Sequence, residues 1–308
     1  MAGKLLTLLT VPKPFKDPHI SVIQTNALKS WLLLGEEVDV IVLGNDEGVA
    51  EKTNQLGIRH LPNVACNDRG TPLVSSMIEL ARSNSESPYV CIVNADIILF
   101  PDLLQALKNV AAHLQRFLIL GQRWDMDVVE EIPEREEKFA ILKGEVLKRG
   151  KLHPPMGSDY FIFPRECYRE VPDFAIGRAG WDNWFIFKSR WESWPVIDVT
   201  QDVLIIHQNH DYRHLPGGQT HYRLPETREN VIRGGGEQTI FTLADAQYEL
   251  IHGRLSKKPL SAKKLLREIE IFPLTHLRSM TLGKLFFYGF HPRKGYQALR
   301  TLLGRDVN

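Results

Sequence analysis

The chain has 308 residues, of which 43% are hydrophobic and 24% charged. That composition supports a large buried core and excludes collagen-like, disulfide-scaffold and wholly disordered chains. The formal net charge of +1 marks no nucleic-acid binder, and three scattered cysteines (Cys66, Cys91, Cys167) form neither a disulfide framework nor a CxxC zinc pattern.

Leu5–Val11 reads as a buried strand that stops at Pro12 and Pro14. It is too short for a targeting segment, and no apolar run reaches the length of a membrane span, so a cytoplasmic protein with reduced thiols is expected. Ile20–Leu34 has helical spacing, and Glu37–Leu43 is a continuous β-rich run typical of a strand covered on both faces. Val49–Leu56 predicts a short helix, Ile58–Leu61 a short strand and Pro72–Ser83 a helix. Tyr89–Val93 predicts another buried strand, Asp102–Leu114 a helix and Phe117–Leu120 a strand. Repeated β-α-β units predict an α/β fold with a central, mostly parallel sheet flanked by helices. Ligands of such sheets sit beyond the carboxyl ends of the strands. That rule selects Thr10, Pro12 and Lys13, then Asp46, then Asn94 and Asp96.

The second half is less regular. Glu130–Arg149 reads as an exposed, charged helical insert, Asp159–Phe163 as a short strand, and Val196–Thr200 and Val203–Ile206 as β-rich runs. Arg213–Gln238 is glycine-rich and too long for a plain connector, which suggests a lid. Thr242–Arg254 is read as a helix. From Ile251 onward the chain is basic: its last 58 residues carry +9 and the remainder −8. Leucine, isoleucine and phenylalanine recur there at helical spacing. Either a helical extension packs on the core with a solvated basic face, or a basic amphipathic surface makes a peripheral membrane contact.

Four constellations could carry chemistry. Val93-Asn94-Ala95-Asp96-Ile97 holds a carboxylate at a strand end, where it could bind a hard divalent cation or simply form a turn. His207-Gln208-Asn209-His210-Asp211-Tyr212-Arg213-His214 follows a strand-like run, and its histidines could complete a metal site with Asp96 or make ordinary hydrogen bonds. Gly180-Trp181-Asp182-Asn183-Trp184 sets a carboxylate between tryptophans. Asp182 could cap a helix or act as a base, and Trp181 and Trp184 could offer a sugar platform with Asn183. Asp159 in Met156-Gly157-Ser158-Asp159-Tyr160 could form a turn or contact a substrate hydroxyl. No P-loop, dinucleotide fingerprint or nucleophile elbow occurs, and no nucleic-acid-binding motif is present.

Taken together, the four constellations resemble the nucleotide-diphospho-sugar glycosyltransferases of the GT-A fold, of the broad family 2-like type. The likeness spans about the first 245 residues. It implies a transferase domain over 1–250, with a nucleotide-binding half (1–120) and an acceptor half (121–250), and a basic helical extension over 251–308. Asn94-Ala95-Asp96 resembles the DxD metal motif with its first Asp replaced by Asn. Gly180-Trp181-Asp182-Asn183 resembles the WGxED segment, which implies Asp182 as catalytic base and inversion at the sugar. His207 or His210 resembles the late metal ligand, and Asp46 the residue that contacts the nucleotide base. Lys13 and Arg69 would assist at the phosphates or the nucleotide. The implied cofactor is a divalent cation, manganese or magnesium. The implied partners are a nucleotide-sugar donor and a glycan, lipid or small-molecule acceptor. A catalytically silent nucleotide-sugar or glycan-binding protein on the same fold is a second reading, and a metal-dependent phosphohydrolase a third.

Overall fold

The computed structural model describes residues 3–210 and 223–302. In chain order the elements are β1 (Leu6–Thr10), α1 (Pro18–Leu32), β2 (Val38–Leu43), α2 (Val49–Leu56), β3 (Arg59–Leu61), α3 (Val74–Asn84), β4 (Tyr89–Val93) and β5 (Ile97–Ile98). There follow α4 (Asp102–Ala111), β6 (Leu118–Leu120), β7 (Trp124–Met126), α5 (Glu136–Arg149), β8 (Lys151–Leu152), β9 (Tyr160–Pro164) and α6 (Trp181–Trp191). The remainder comprises β10 (Val196–Asp198), β11 (Ile206–Gln208), α7 (Pro225–Arg233), β12 (Tyr248–Ile251), β13 (Arg254–Lys257), α8 (Ala262–Thr275), α9 (Met280–Phe290) and α10 (Pro292–Leu302).

Nine strands form the main sheet in the order β13-β12-β10-β6-β9-β4-β1-β2-β3. Strands β1, β2, β3, β4, β6, β10 and β12 run one way, and only β9 and β13 run against them. The apolar continuity of β1 follows from this topology. All five of its residues are buried, because helices cover both faces. On one side, Leu6 and Leu8 pack with Ala27, Leu28 and Trp31 of α1 and Leu103 and Leu107 of α4. On the other, Leu9 packs with Met77 and Ile78 of α3, Phe185 of α6 and Leu274 of α8.

α1 begins where local chemistry dictates. Asp17 accepts a hydrogen bond from the Ile20 backbone N–H at 3.0 Å, and Pro18 occupies the first turn. Its inner face buries Ile20, Ile23, Ala27 and Trp31, spaced by three or four residues.

A second, four-stranded sheet (β5-β11-β7-β8) covers the carboxyl edge of the first. Helix α5 packs on it through Phe139, Leu142 and Val146, so the charged insert is half buried rather than wholly exposed.

Three sequence expectations are corrected. Thr242–Arg254 is not a helix. Thr242 and Asp245 close a capping box around a single turn over Leu243–Asp245, after which β12 and β13 form a hairpin. His252 and Gly253 both have positive φ, 50° and 73°, the geometry of a two-residue type I′ turn. Asp202 fixes that turn by accepting from both backbone N–H groups at 2.6 Å. A division at residue 250 therefore cuts through a sheet strand, and the helical portion starts only at Ala262. The strand read at Val203–Ile206 lies further on, at Ile206–Gln208. Val203, Leu204 and Ile205 lie outside the strand and are buried, with the Ile205 carbonyl accepting from the Trp124 N–H at 3.0 Å.

The C-terminal helices pack tightly at one point. A Cβ on Gly283 of α9 would lie 2.2 Å from Leu274 Cδ2 of α8, and Leu274 is itself 1% exposed and has nowhere to move. Gly283→Ala should therefore destabilise the fold by about 1–3 kcal/mol through overpacking, read as a lower denaturation midpoint with unchanged slope.

Candidate metal and transfer site

The parallel strands end along one edge, and the selected residues fall there. Lys13 follows β1, Asp46 follows β2 and Asp96 follows β4. Because β9 is antiparallel, its start lies at the same edge, and Val93 pairs with Tyr160, which sets Asp159 beside Asn94. The Asn94 backbone N–H donates to the Asp159 carbonyl at 2.9 Å, and its side-chain amide donates to the Asp159 carboxylate at 2.9 Å.

Strand register brings the histidines in. His207 sits opposite Ile97 on one side and Asp125 on the other, so it stands next to Asp96. Gln208, fully buried, donates its amide to the Asp96 carbonyl at 3.1 Å and to the Ile23 carbonyl of α1 at 2.7 Å. Its own amide oxygen accepts from Asn26 at 3.1 Å. The turn holding Asp96 is thus tied to both sheets and to α1. The loop after β1 is clamped as well: Lys13 N–H donates to Gln24 at 2.6 Å, and Gln24 donates back to the Lys13 carbonyl at 2.9 Å.

One ligand atom from each of Asp96, His207 and His210 lies within 4.8 Å of the others. His210 Nε2 is 3.1 Å from Asp96 Oδ2, and Lys13 Nζ is 3.0 Å from that same nitrogen. Lys13 Nζ is 3.7 Å from Asp96 Oδ2. Burial alone would raise the Asp96 carboxyl, but the hydrogen bond to His210 and the charges of Lys13 and His207 hold it well below the ordinary carboxylate range. Burial lowers the Lys13 ammonium, with Asp96 partly offsetting it. Burial also opposes a charged His207, but the nearby Asp125, Asp96 and Asp159 carboxylates outweigh it and raise the imidazole.

This cluster passes a simple test of fit to a divalent cation. Asp96 Oδ1, His207 Nδ1 and Thr10 Oγ1 are buried polar atoms with no hydrogen-bond partner among the described residues. His207 Nδ1 is 3.2 Å from Asp125 Oδ1 but lacks hydrogen-bond alignment. Buried polar atoms are normally satisfied, so the unpartnered Asp96 oxygen, with the two imidazoles beside it, fits a cation. One carboxylate and two imidazoles suit manganese better than magnesium, which takes oxygen ligands.

Sequence reasoning missed the supporting network. Arg123 donates to both Asp159 oxygens at 2.8 and 2.9 Å and to Asp125 Oδ1 at 2.9 Å. His153 Nδ1 is 2.7 Å from the other Asp125 oxygen. A signal is present: Arg123 and Asp125 follow β6 directly, at the same strand-end edge as Asp96.

Asp182 lies in the first turn of α6, two residues after the N-cap Gly180, whose N–H donates to Asp182 Oδ1 at 3.0 Å. The cap itself must be glycine. Its φ is 108°, and a Cβ would stand 3.1 Å from Asn230 of α7. Burial pushes the Asp182 carboxyl up to about 6, against the backbone N–H groups of the helix start and with a further contribution from Asp159.

Other expected contacts fall elsewhere. Trp181 and Trp184 are 5% and 7% exposed and pack on Phe161, Phe174 and Phe185, so they are core residues rather than an open sugar platform. Asn183 donates to the Phe241 carbonyl at 2.7 Å, a tie within the fold. The Asp159 carboxylate is taken by Arg123 and Asn94 and is not presented to a substrate hydroxyl. Arg69 makes a bidentate pair with Glu229 of α7 at 2.8 and 2.9 Å. Arg178 and Asn67 hold Glu226 of the same helix at 2.8 and 2.7 Å. Asp46 is exposed and lines a cleft of about 560 Å³ with Gly44, Asn63, Ala65 and Cys66. Pro12 is buried, and Thr10 lies at the end of β1 below the cluster. Asp211, Tyr212, Arg213 and His214 lie outside the described residues, as does the first part of the expected lid, with Gly217 and Gly218.

No family model matches the chain, and no curated protein matches it. Among solved structures it is similar to glucosyl-3-phosphoglycerate synthase of M. tuberculosis, at 15% identity over 84% of this chain and 89% of that chain, with a TM-score of 0.48. A structure of the same synthase with Mn2+, UDP-glucose and phosphoglyceric acid matches at 13% identity, 84% and 88% coverage and a TM-score of 0.45. A further mycobacterial protein matches at 15% identity, 84% and 85% coverage and a TM-score of 0.47. None of these three reaches a TM-score of 0.5.

Proposed function

We propose that this chain is a metal-dependent glycosyltransferase of the GT-A type, moving a sugar from a nucleotide-diphosphate donor to an acceptor hydroxyl. The observation that carries the reading is the convergence of Asp96, His207 and His210 at the carboxyl edge of a mostly parallel sheet, with buried oxygen and nitrogen left unsatisfied. A divalent cation held by these three side chains would neutralise the charge that grows on a diphosphate leaving group. Lys13, fixed by Gln24 and facing the same cluster, would add a second positive group at the phosphates. The Asp46 cleft would take the nucleoside.

Asp182 would take the acceptor proton. Its raised carboxyl, near 6, makes it a competent base at neutral pH. A base acting on the acceptor, with no protein nucleophile on the donor, gives a single displacement with inversion, which proton NMR of the product anomer would read. The corrections above leave the sugar platform unassigned, so the acceptor remains a glycan, lipid or small molecule by class. A peripheral membrane contact through the basic tail would bring a lipid acceptor to the site. The three unpaired thiols, two of them buried, accord with a reducing, cytoplasmic compartment.

The reading is tested by titrating the protein with uridine and guanosine diphosphates, with and without manganese. One nucleotide should bind at least tenfold more tightly with the metal present, and thermal stability should rise with it. Equal affinity with and without metal for every nucleotide would remove the cation from the mechanism. The silent-binder reading shares this outcome and separates from it on turnover across donor and acceptor panels.

A further inference from the structure

Helices α8 to α10 turn an apolar face away from the protein. Of 19 large apolar side chains exposed among the described residues, 12 lie from Leu260 onward. The pattern is clearest in α8. Its inner face buries Ile271 and Leu274 against the core, and an ordinary surface helix would be polar on the opposite side. Instead Leu265, Leu266, Ile269 and Phe272 stand 45–58% exposed there. In α9, Leu285 is 65% exposed and Phe286 37%, whereas Phe287 is buried.

The exposed charges carried by these helices have one sign, and Glu237, from outside them, pairs with Lys294 at 2.6 Å. Lys263, Arg278, Lys284 and Arg293 are exposed. The two acidic residues in 260–302 are both neutralised inward. Glu268 pairs with the buried Arg190 at 2.7 Å, and Glu270 pairs with Arg267 and His291 at 3.0 Å each. The outward surface of these helices therefore offers hydrocarbon and cations with no exposed carboxylate among the described residues.

We propose that the α8–α10 face rests on an anionic lipid bilayer, with Leu285, Phe286 and the outer leucines of α8 entering the acyl boundary and the lysines and arginines meeting the headgroups. Charge complementarity selects this occupant. A second copy of the chain would set one +9 tail against another. A bilayer takes both signals together, and neither apolar insertion nor basic attraction alone anchors strongly. The contact is peripheral, since no helix of the described residues is long and apolar enough to cross a membrane. It adds a place of work to the proposed transferase and does not depend on the sugar chemistry.

The test is co-sedimentation of the full chain with phosphatidylcholine vesicles, alone or mixed with phosphatidylglycerol. Binding should appear only with the anionic lipid and weaken as salt is raised. Lys284→Ala should weaken it roughly fivefold. Leu285→Asp should weaken it about tenfold or more even at low salt, where electrostatic attraction is strongest. Both positions are exposed, and an unchanged melting temperature would show that the variants fold. Absence of anionic binding, or full binding by Leu285→Asp, would overturn the proposal. So would a dimer in sedimentation velocity that Leu285→Asp dissociates, which would assign the face to a second copy. Vesicle binding by a chain that fails the nucleotide titration would sink the transferase reading and leave the lipid surface standing.

Discussion

Asp96→Ala should abolish manganese-dependent nucleotide binding and lower the transfer rate by about three orders of magnitude, comparable to loss of a principal electrostatic stabiliser. The expectation follows from its position as the only carboxylate of the cluster among the described residues. It brings the one formal negative charge to a site otherwise made of two imidazoles and the Lys13 ammonium. Without it a divalent cation would keep only the two imidazoles of the three described ligands. Isothermal titration with nucleotide and manganese reads the loss directly, and manganese spin resonance of the protein alone reads it without nucleotide. Asp96→Ala that kept a metal-dependent gain in nucleotide affinity would exclude Asp96 as a ligand. Chelation of the wild-type protein should reproduce the same loss reversibly, because the supporting network of Arg123, Asp125, Asp159 and Gln208 does not require the cation to hold its shape.

That network marks the boundary of what the sequence reveals. Asp96 is legible because a buried strand, YVCIV, stops abruptly at Asn94-Ala95-Asp96, and strand ends are where an α/β sheet does its chemistry. His207 and His210 are legible as a cluster, but their meeting with Asp96 depends on a cross-strand register with Ile97 that no local pattern encodes. Arg123 and Asp125 obey the strand-end rule, yet Trp124 and Met126 interrupt the polar run and hide them. Apolar character is a sound guide to burial and a poor guide to role. It places Trp181 and Trp184 at the right helix and suggests a platform, whereas the second layer of the core consumes both. The same limit explains 242–254. There Leu243, Ala246, Leu250 and Ile251 imitate helical spacing closely enough to hide a single turn followed by a hairpin. The outcome is decided by His252 and Gly253 in positive φ and by Asp202, far back along the chain.

Asp182→Asn should lose transfer activity by about two to four orders of magnitude and yet make the protein more stable above pH 6. The two effects have one cause. Folding raises the Asp182 carboxyl to about 6 from an ordinary 3.8, so the folded chain binds this proton more tightly than the unfolded chain does. Its favourable contribution is complete below about pH 4 and is lost as pH rises through about 6, after which a half-buried carboxylate is charged. Asparagine keeps an oxygen to accept from the Gly180 N–H and carries no charge. The gain should therefore be absent near pH 4, grow between pH 4 and 6, and level off at up to about 3 kcal/mol by pH 7. Denaturation at several pH values measures it, and the wild-type kcat/KM should rise with pH through the same interval. A purely structural Asp182 predicts the stability change without the acidic limb in the rate. A base whose carboxyl lies at the ordinary value predicts the activity loss without the stability gain. Only a half-buried carboxylate, raised by its surroundings yet open to an acceptor hydroxyl, gives both together.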